Sequence, residues 1–179
     1  MPETASVSEW VARWAHLLVV PGTVLDVACG RGRHTRWLAQ RGHIMIGVDR
    51  DPESVVASSP YGEIVQADIE NGPWPFAGRR FNAVVVCNYL WRPLWPVILD
   101  SLEPGGMLIY ETFAQGNEMF GRPRNPEFLL QPGELLERCQ GMHIIAYEHG
   151  LLPGPERVVQ RIVAQRPDLT GPAFSSLTA

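Results

Sequence analysis

Val24-Leu25-Asp26-Val27-Ala28-Cys29-Gly30-Arg31-Gly32-Arg33-His34 is the stretch that decides the fold class. Residues 23–28 are a short apolar run and read as a buried strand. Gly30 and Gly32 follow, and glycine there permits positive φ and a close approach of backbone to ligand. Residues 32–40 read as a helix that stops near Gly42. A helix starting on such a turn offers unpaired N–H groups to an anionic group. Two glycines in a strand–helix turn are common by themselves. Asp49, at the end of the next apolar run, sharpens the reading, because a carboxylate there can accept both hydroxyls of a ribose. Asp51, directly before Pro52, is the better candidate for a helix N-cap.

Working outward, strands and helices alternate. Residues 8–18 place Trp10, Val11, Trp14, Leu17 and Leu18 at helical spacing, with Ser8 as N-cap. Strands are expected at 44–48, 63–67, 81–87 and 107–112, and helices at 52–57, 94–102 and 134–139. Pro104-Gly105-Gly106 reads as the turn into the fifth strand. Residues 143–148 and 157–165 alternate apolar and polar positions around Pro153-Gly154-Pro155 and read as a closing antiparallel pair. Residues 114–132 form a long polar segment, of a length that is uncommon for an irregular loop and often functional. The pattern predicts one domain over 1–166 and a frayed tail over 167–179. Its fold class is α/β, a doubly wound sheet whose ligands sit at the carboxyl ends of the strands.

Composition narrows the chemistry. The chain has 179 residues, 45% of them apolar, and a net charge of -4. No lysine is present, so all 15 basic residues are arginine. That excludes a pyridoxal Schiff base, a lysine base and a Walker-A lysine. The acidic balance argues against a general affinity for nucleic acid. No apolar run reaches the roughly 18 residues of a membrane helix, and the start lacks a signal-peptide pattern. Cys29, Cys87 and Cys139 are widely spaced and odd in number. They read as reduced thiols in the cytoplasm, with no metal site expected.

A dinucleotide site wants a third glycine, where this chain has Thr35. Asp26, just before the turn, has no role beside an anionic pyrophosphate. It suits a ligand with a cationic end, such as S-adenosylmethionine with its α-ammonium and sulfonium.

At this point the chain resembles the class I S-adenosylmethionine-dependent methyltransferases. Residues 25–32 are similar to that family's first motif, with Ala28 in place of its first glycine. Gly47-Val48-Asp49 resembles the second, and Gln66-Ala67-Asp68-Ile69 the third. Residues 81–86 resemble the fourth strand, with Asn82 where the family usually has Asp, and residues 103–108 match the turn into the fifth. The short chain and residues 30–38 are most similar to the small tellurite-resistance or small-molecule subgroup. The resemblance implies a Rossmann-like sheet of seven strands, mostly parallel with the last antiparallel. It implies S-adenosylmethionine as cofactor and S-adenosylhomocysteine as product. The methionine end would lie over Asp26, Ala28, Gly30 and Gly32, the ribose on Asp49, and the adenine beside Arg50, Asp68 and Ile69. Cys87, Asn88 and Tyr89 would stand near the departing methyl group.

Transfer from a sulfonium needs alignment first, and an oxygen or nitrogen nucleophile often needs a base as well. Tyr89 and Glu111 are the catalytic candidates. The alternative for Tyr89 is packing, and for Glu111 an ion pair with Arg122 or Arg124. His34, early in a helix, reads as a solvated or capping residue. Tyr89, Trp91, Arg122 and Arg124 are the substrate-binding candidates, the arginines through forked hydrogen bonds to an anionic group. The N-terminal segment, 1–20, is expected to pack on the cofactor side or close over it. The expected acceptor is a small molecule, with nucleic acid and membrane disfavoured, and the expected state a monomer or homodimer. The alternatives are a methyltransferase of RNA or protein, and a catalytically silent cofactor-binding module.

Overall fold

The computed structural model describes residues 6–168. Residues 1–5 and 169–179, and with them most of the expected tail, lie outside the described residues. Seven strands form one sheet: β1 (Thr23–Val27), β2 (Ile44–Asp49), β3 (Glu63–Gln66), β4 (Phe81–Cys87), β5 (Leu102–Phe113), β6 (His143–Leu152) and β7 (Arg157–Gln165). The spatial order is β3-β2-β1-β4-β5-β7-β6. β1 to β5 pair in parallel, and β7 runs antiparallel to both β5 and β6. The fold is a Rossmann-like α/β sheet with an antiparallel closing pair.

Pleating divides the core. In β4, Ala83, Val85 and Cys87 face one side while Val84 and Val86 face the other, and all five are buried. A strand covered on both faces reads as an unbroken apolar run. The first face carries the short helix α1 (Glu9–Trp14), which brings Trp10, Val11 and Trp14, and α2 (Arg33–Ala39), which brings Leu38. α3 (Pro52–Ser58) packs beside α2 on β2 and β3, with Asp51 as its N-cap at 3.0 Å from Ser54 N. The second face carries α4 (Trp95–Asp100) and α5 (Glu134–Arg138), with Trp95, Ile98 and Leu135 buried. Trp95 stacks on Tyr110 at 4.7 Å between ring centroids.

Three expectations need correction. The first helix ends at Trp14 and tightens into a 3-10 turn over Ala15–Leu17. The Pro104-Gly105-Gly106 turn lies inside β5: Leu102 pairs with Phe81 and Met107 with Ala83, so residues 103–106 leave that ladder. They are held from the other side, where Gly105 N donates to Arg166 O and Arg166 N to Gly106 O. β6 continues to Leu152, beyond the last alternating residue, because it pairs with β7 as far as Arg157. Asn82 serves at its position without the family's charge, since its Oδ1 accepts from Thr23 N at 2.9 Å and Thr23 Oγ1 at 3.1 Å.

The polar segment 114–132 is fastened at its base. It contains 3-10 turns at Asn117–Met119 and Pro126–Phe128 and a bridge between Ala114 and Leu130. Arg92 donates to Glu127 O at 2.8 Å and Leu129 O at 2.9 Å while its fork holds the buried Glu134 carboxylate at 2.9 Å. Removing Arg92 leaves that carboxylate only the Gln131 N–H and the more distant Arg138, and takes the donor from two carbonyls. Arg92→Leu is therefore expected to cost about 3 kcal/mol in urea unfolding; a loss below about 1 kcal/mol would show that the clamp is not what fastens the loop.

Candidate functional site

The site gathers at the carboxyl ends of β1, β2 and β4. After β1 the chain turns through Ala28 (φ 52°), Gly30 (φ 55°) and Gly32 (φ 76°). Gly32 has a steric reason as well: a Cβ there would stand 2.6 Å from Ser58 Cβ. Ala28 carries its side chain in the left-handed region, a strain of about 1 kcal/mol. The turn is held by Asp49: Gly30 N donates to its Oδ2 at 2.8 Å and Asp51 N to its Oδ1 at 2.9 Å. Each carboxylate oxygen keeps a lone pair for a further donor.

Beside this lock is a cavity of about 170 Å³ walled by Ala28, Asp49, Arg50, Asp68, Ile69 and Tyr89, with Ala67 and Glu70 completing it. Asp68 accepts from Glu70 N, Asn71 N and the Asn71 amide, and the Asn71 amide and these N–H groups hold its carboxyl below the usual range. Sequence reading named Asp49, Arg50, Asp68 and Ile69 for this region and Tyr89 for the acceptor. Glu70 was missed, though its place next to Ile69 was a signal. The Tyr89 hydroxyl is buried without a hydrogen-bond partner, and burial, with Glu70 nearby, pushes its pKa up. A phenol in that state is a donor, which corrects its candidacy as a base.

A larger cavity of about 640 Å³ opens on the α1 side, and Glu111, Asn88, Phe113, Arg33 and Arg122 face it. A third space of about 240 Å³ lies between the two, sharing Tyr89 and Glu70 with the first and Asn88 and Phe113 with the second. Asn88 sits at φ 55° after β4, a conformation asparagine tolerates, and its N–H donates to Glu111 O at 2.9 Å.

Glu111 is buried on the α1 face of β5. The structure corrects the pairing considered for it: its partners are Ser8 Oγ at 2.9 Å and Arg161 at 3.3 Å, not Arg122 or Arg124. Arg161 lies 4.7 Å over the Trp10 ring and makes closer bonds to Glu148. His34 is buried, not solvated. Burial lowers its pKa to about 3, and its neutral Nε2 accepts from Ser8 N at 3.2 Å. Neither Ser8 nor Arg161 was singled out from the sequence as a site residue. Ser8 appeared there only as a helix cap, a role it also fills.

Other named residues stand elsewhere. Asp26 is fully buried below the turn, with Oδ2 accepting from Thr35 Oγ1 at 2.7 Å. Desolvation raises its pKa to about 6. Asp26, Gly30, Gly32 and Cys87 support the floor and face none of the three cavities. Burial also pushes the Cys87 thiol well up and Cys29 to about 12, so neither is a thiolate near neutral pH. Trp91 packs against the core, and Arg124 is exposed and faces none of these cavities. Trp10 and Trp14 are core residues, Trp10 Nε1 donating to Ile162 O.

Residues 24–106 match the family model of the methyltransferase domain. No curated protein sequence matches the chain. Among solved structures, the chain is similar to TehB from Haemophilus influenzae (TM-score 0.73, 17% identity), with 92% of this chain and 63% of that one aligned. The chain thus spans less than two thirds of TehB. It is also similar to an S-adenosylmethionine-dependent methyltransferase from Methanosarcina mazei (TM-score 0.72, 16% identity, 92% and 100% covered). A third is the N-methyltransferase NodS from Bradyrhizobium japonicum WM9 (TM-score 0.71, 13% identity, 89% and 93% covered). At these identities the likeness is one of fold. The family model covers residues 24–106, under half of the chain, and with the ordered motifs it supports methyl transfer from S-adenosylmethionine.

Two outcomes follow. Asp26 holds its proton more tightly folded than unfolded, so it favours folding in acid and loses that contribution as pH rises through about 6. Asp26→Asn is expected to raise the ligand-free melting temperature at pH 7.5 and to leave it nearly unchanged at pH 4; equal shifts at both would contradict the buried carboxylate. Tyr89→Phe removes an unpaired buried hydroxyl. It is expected to leave the ligand-free melting temperature equal or higher while calorimetry shows several-fold weaker binding of S-adenosylmethionine.

Proposed function

We propose that the protein transfers the methyl group of S-adenosylmethionine to a small molecule. The observation that carries this is the row of adjacent cavities: a small one at Asp49, and one of about 640 Å³ beyond Asn88. That volume lies within the roughly 300–1,000 Å³ range of small-molecule sites. It does not require the open basic surface that RNA would need. The free thiols of Cys29, Cys87 and Cys139 accord with a reducing compartment, and we place the protein in the cytoplasm.

The residues fit the cofactor in three respects. Asp49 has a lone pair left on each oxygen, enough for the two hydroxyls of a ribose. Tyr89 has a buried hydroxyl lacking an acceptor, beside the wall where Ile69 and Asp68 would receive the adenine. Ala28 lines the small cavity and Gly30 has open space where a Cβ would stand, room that suits the methionine end. When bound, S-adenosylmethionine supplies a sulfonium methyl group and a neutral leaving group. The chain's own task is to hold the nucleophile in line at Asn88 and keep water out, and alignment of this kind can lower a barrier by about 7–11 kcal/mol. Glu111, at the next strand end, is the group placed to take a proton from that nucleophile. Arg122 stands at the mouth of the larger cavity.

Asp49→Ala removes both ribose contacts and the brace on Gly30. Calorimetry should show S-adenosylmethionine bound about 100-fold more weakly, the worth of one to two charge-assisted hydrogen bonds. Unchanged affinity would sink the placement of the cofactor.

A further inference from the structure

We infer that the methyl acceptor is a small zwitterion: an amine received by Glu111 on the floor of the larger cavity, joined to a carboxylate held by Arg122 and Arg157 at its mouth. This rests on the methyl-transfer reading above and adds the chemistry of the acceptor.

The cavity is electrically two-ended. At its floor Glu111 is buried, and it keeps a lone pair on each oxygen after accepting from Ser8 and Arg161. The effect of that carboxylate on a nucleophile can be read from Cys87, which Glu111 pairs with across the β4–β5 ladder. Beyond the effect of burial, the Glu111 charge pushes the Cys87 thiol further from ionisation. A thiolate, a phenolate or an inorganic oxyanion on that floor would meet the same repulsion. An ammonium would meet attraction, and its proton has a carboxylate to go to.

At the mouth the sign reverses. Among the described residues Arg122 has no carboxylate within ion-pair distance, and Arg157 donates only to Pro155 O. Both face the cavity. Arg33 also faces it but lies at the start of α2, where its charge acts on Asp26 and His34 beneath the turn. The remaining carboxylates of the wall, Glu9 and Glu156, are exposed. The Glu111 carboxylate offers a cationic group its acceptors, and the unpaired Arg122 and Arg157 offer an anionic group their donors. A molecule carrying both signs satisfies the two ends together. Phe113 and Phe120 supply apolar wall for the carbon frame between them.

The step balances. The ammonium gives one proton to the Glu111 carboxylate, and the freed nitrogen pair attacks the methyl carbon. A C–N bond forms as the C–S bond breaks, and sulfur keeps the bonding pair as a neutral thioether. The product is an N-methylammonium, and Glu111 returns its proton to water.

The test uses the full-length protein and labelled S-adenosylmethionine. The probes are α-, β- and γ-amino acids, each with its carboxamide and its N-acetyl derivative, beside simple thiols, phenols and selenite. The expected result is methylation of at least one free amino acid, a KM at least tenfold higher for its carboxamide, and no transfer to its N-acetyl form. Arg122→Ala and Arg157→Ala should raise KM with kcat retained. Glu111→Gln, close in shape, should lower kcat at least 100-fold at pH 7 and recover as pH rises toward the amine's own pKa. A merely structural Glu111 would give a loss independent of pH. Turnover confined to thiols, phenols or selenite, or to no probe while the cofactor binds, would overturn the proposal. So would a pH-independent loss in Glu111→Gln. If that variant does not fold, the exposed Arg122 variant and the carboxamide comparison decide alone. Failure to bind S-adenosylmethionine would instead remove the reading beneath it.

Discussion

One charged contact organises the cofactor end of the molecule: the Asp49 carboxylate at the end of β2 accepting the Gly30 N–H of the turn after β1. The turn places three residues at positive φ within five positions, one of them an alanine, and would have little reason to stay so arranged alone. Asp49 braces it from the neighbouring strand and is braced in turn by the Asp51 N–H. Asp51 then caps α3, whose Ser58 closes on Gly32. Turn, acid and two helices thus form one unit, so the geometry proposed for the ribose is in place without a ligand. Pre-organisation of this kind reduces the ordering cost of binding.

A second polar system serves the acceptor end. Ser8 joins α1 to Glu111 through its hydroxyl and to His34 through its backbone N–H. Arg161, lying on Trp10, links Glu111 to Glu148, which Arg13 also reaches at 3.0 Å. A buried carboxylate is costly unless its charge and lone pairs are answered. Here the partners come from α1 and β7, so the segment that walls the larger cavity also bonds to Glu111. Facing it across the site, Arg92 fastens the 114–132 segment to α5. The acceptor space is therefore bounded on both sides by elements tied down through charged hydrogen bonds, not by loose loops.

Much of this was legible in the residues. The continuous apolar run 81–87 is β4, and the alternation at 157–165 is β7, because burial on two faces or one leaves those patterns in any strand. Asp49, Asp68 and Ile69 could be grouped because each follows a strand end, and parallel strands deliver their ends to one edge of the sheet. The bounds of β5 and β6 were less legible. Pairing with β7 sets them, and a partner strand is not written in the strand itself. The solvation of His34 and the ion-pair partners considered for Glu111 were misjudged for the same reason: what surrounds a polar side chain is a matter of contacts distant in the chain.

The sequence by itself determined the class of fold and the order of the motifs at the strand ends, since these rest on local signals there. Tertiary structure decided which polar groups are buried, which are answered and which face open space. Ser8 and Glu111 are 103 residues apart in the chain and 2.9 Å apart in space. Burial raises the pKa of Tyr89, with Glu70 the nearest carboxylate acting on it. Dielectric surroundings and free lone pairs belong to the folded assembly, so the chemistry of the acceptor end became readable only there.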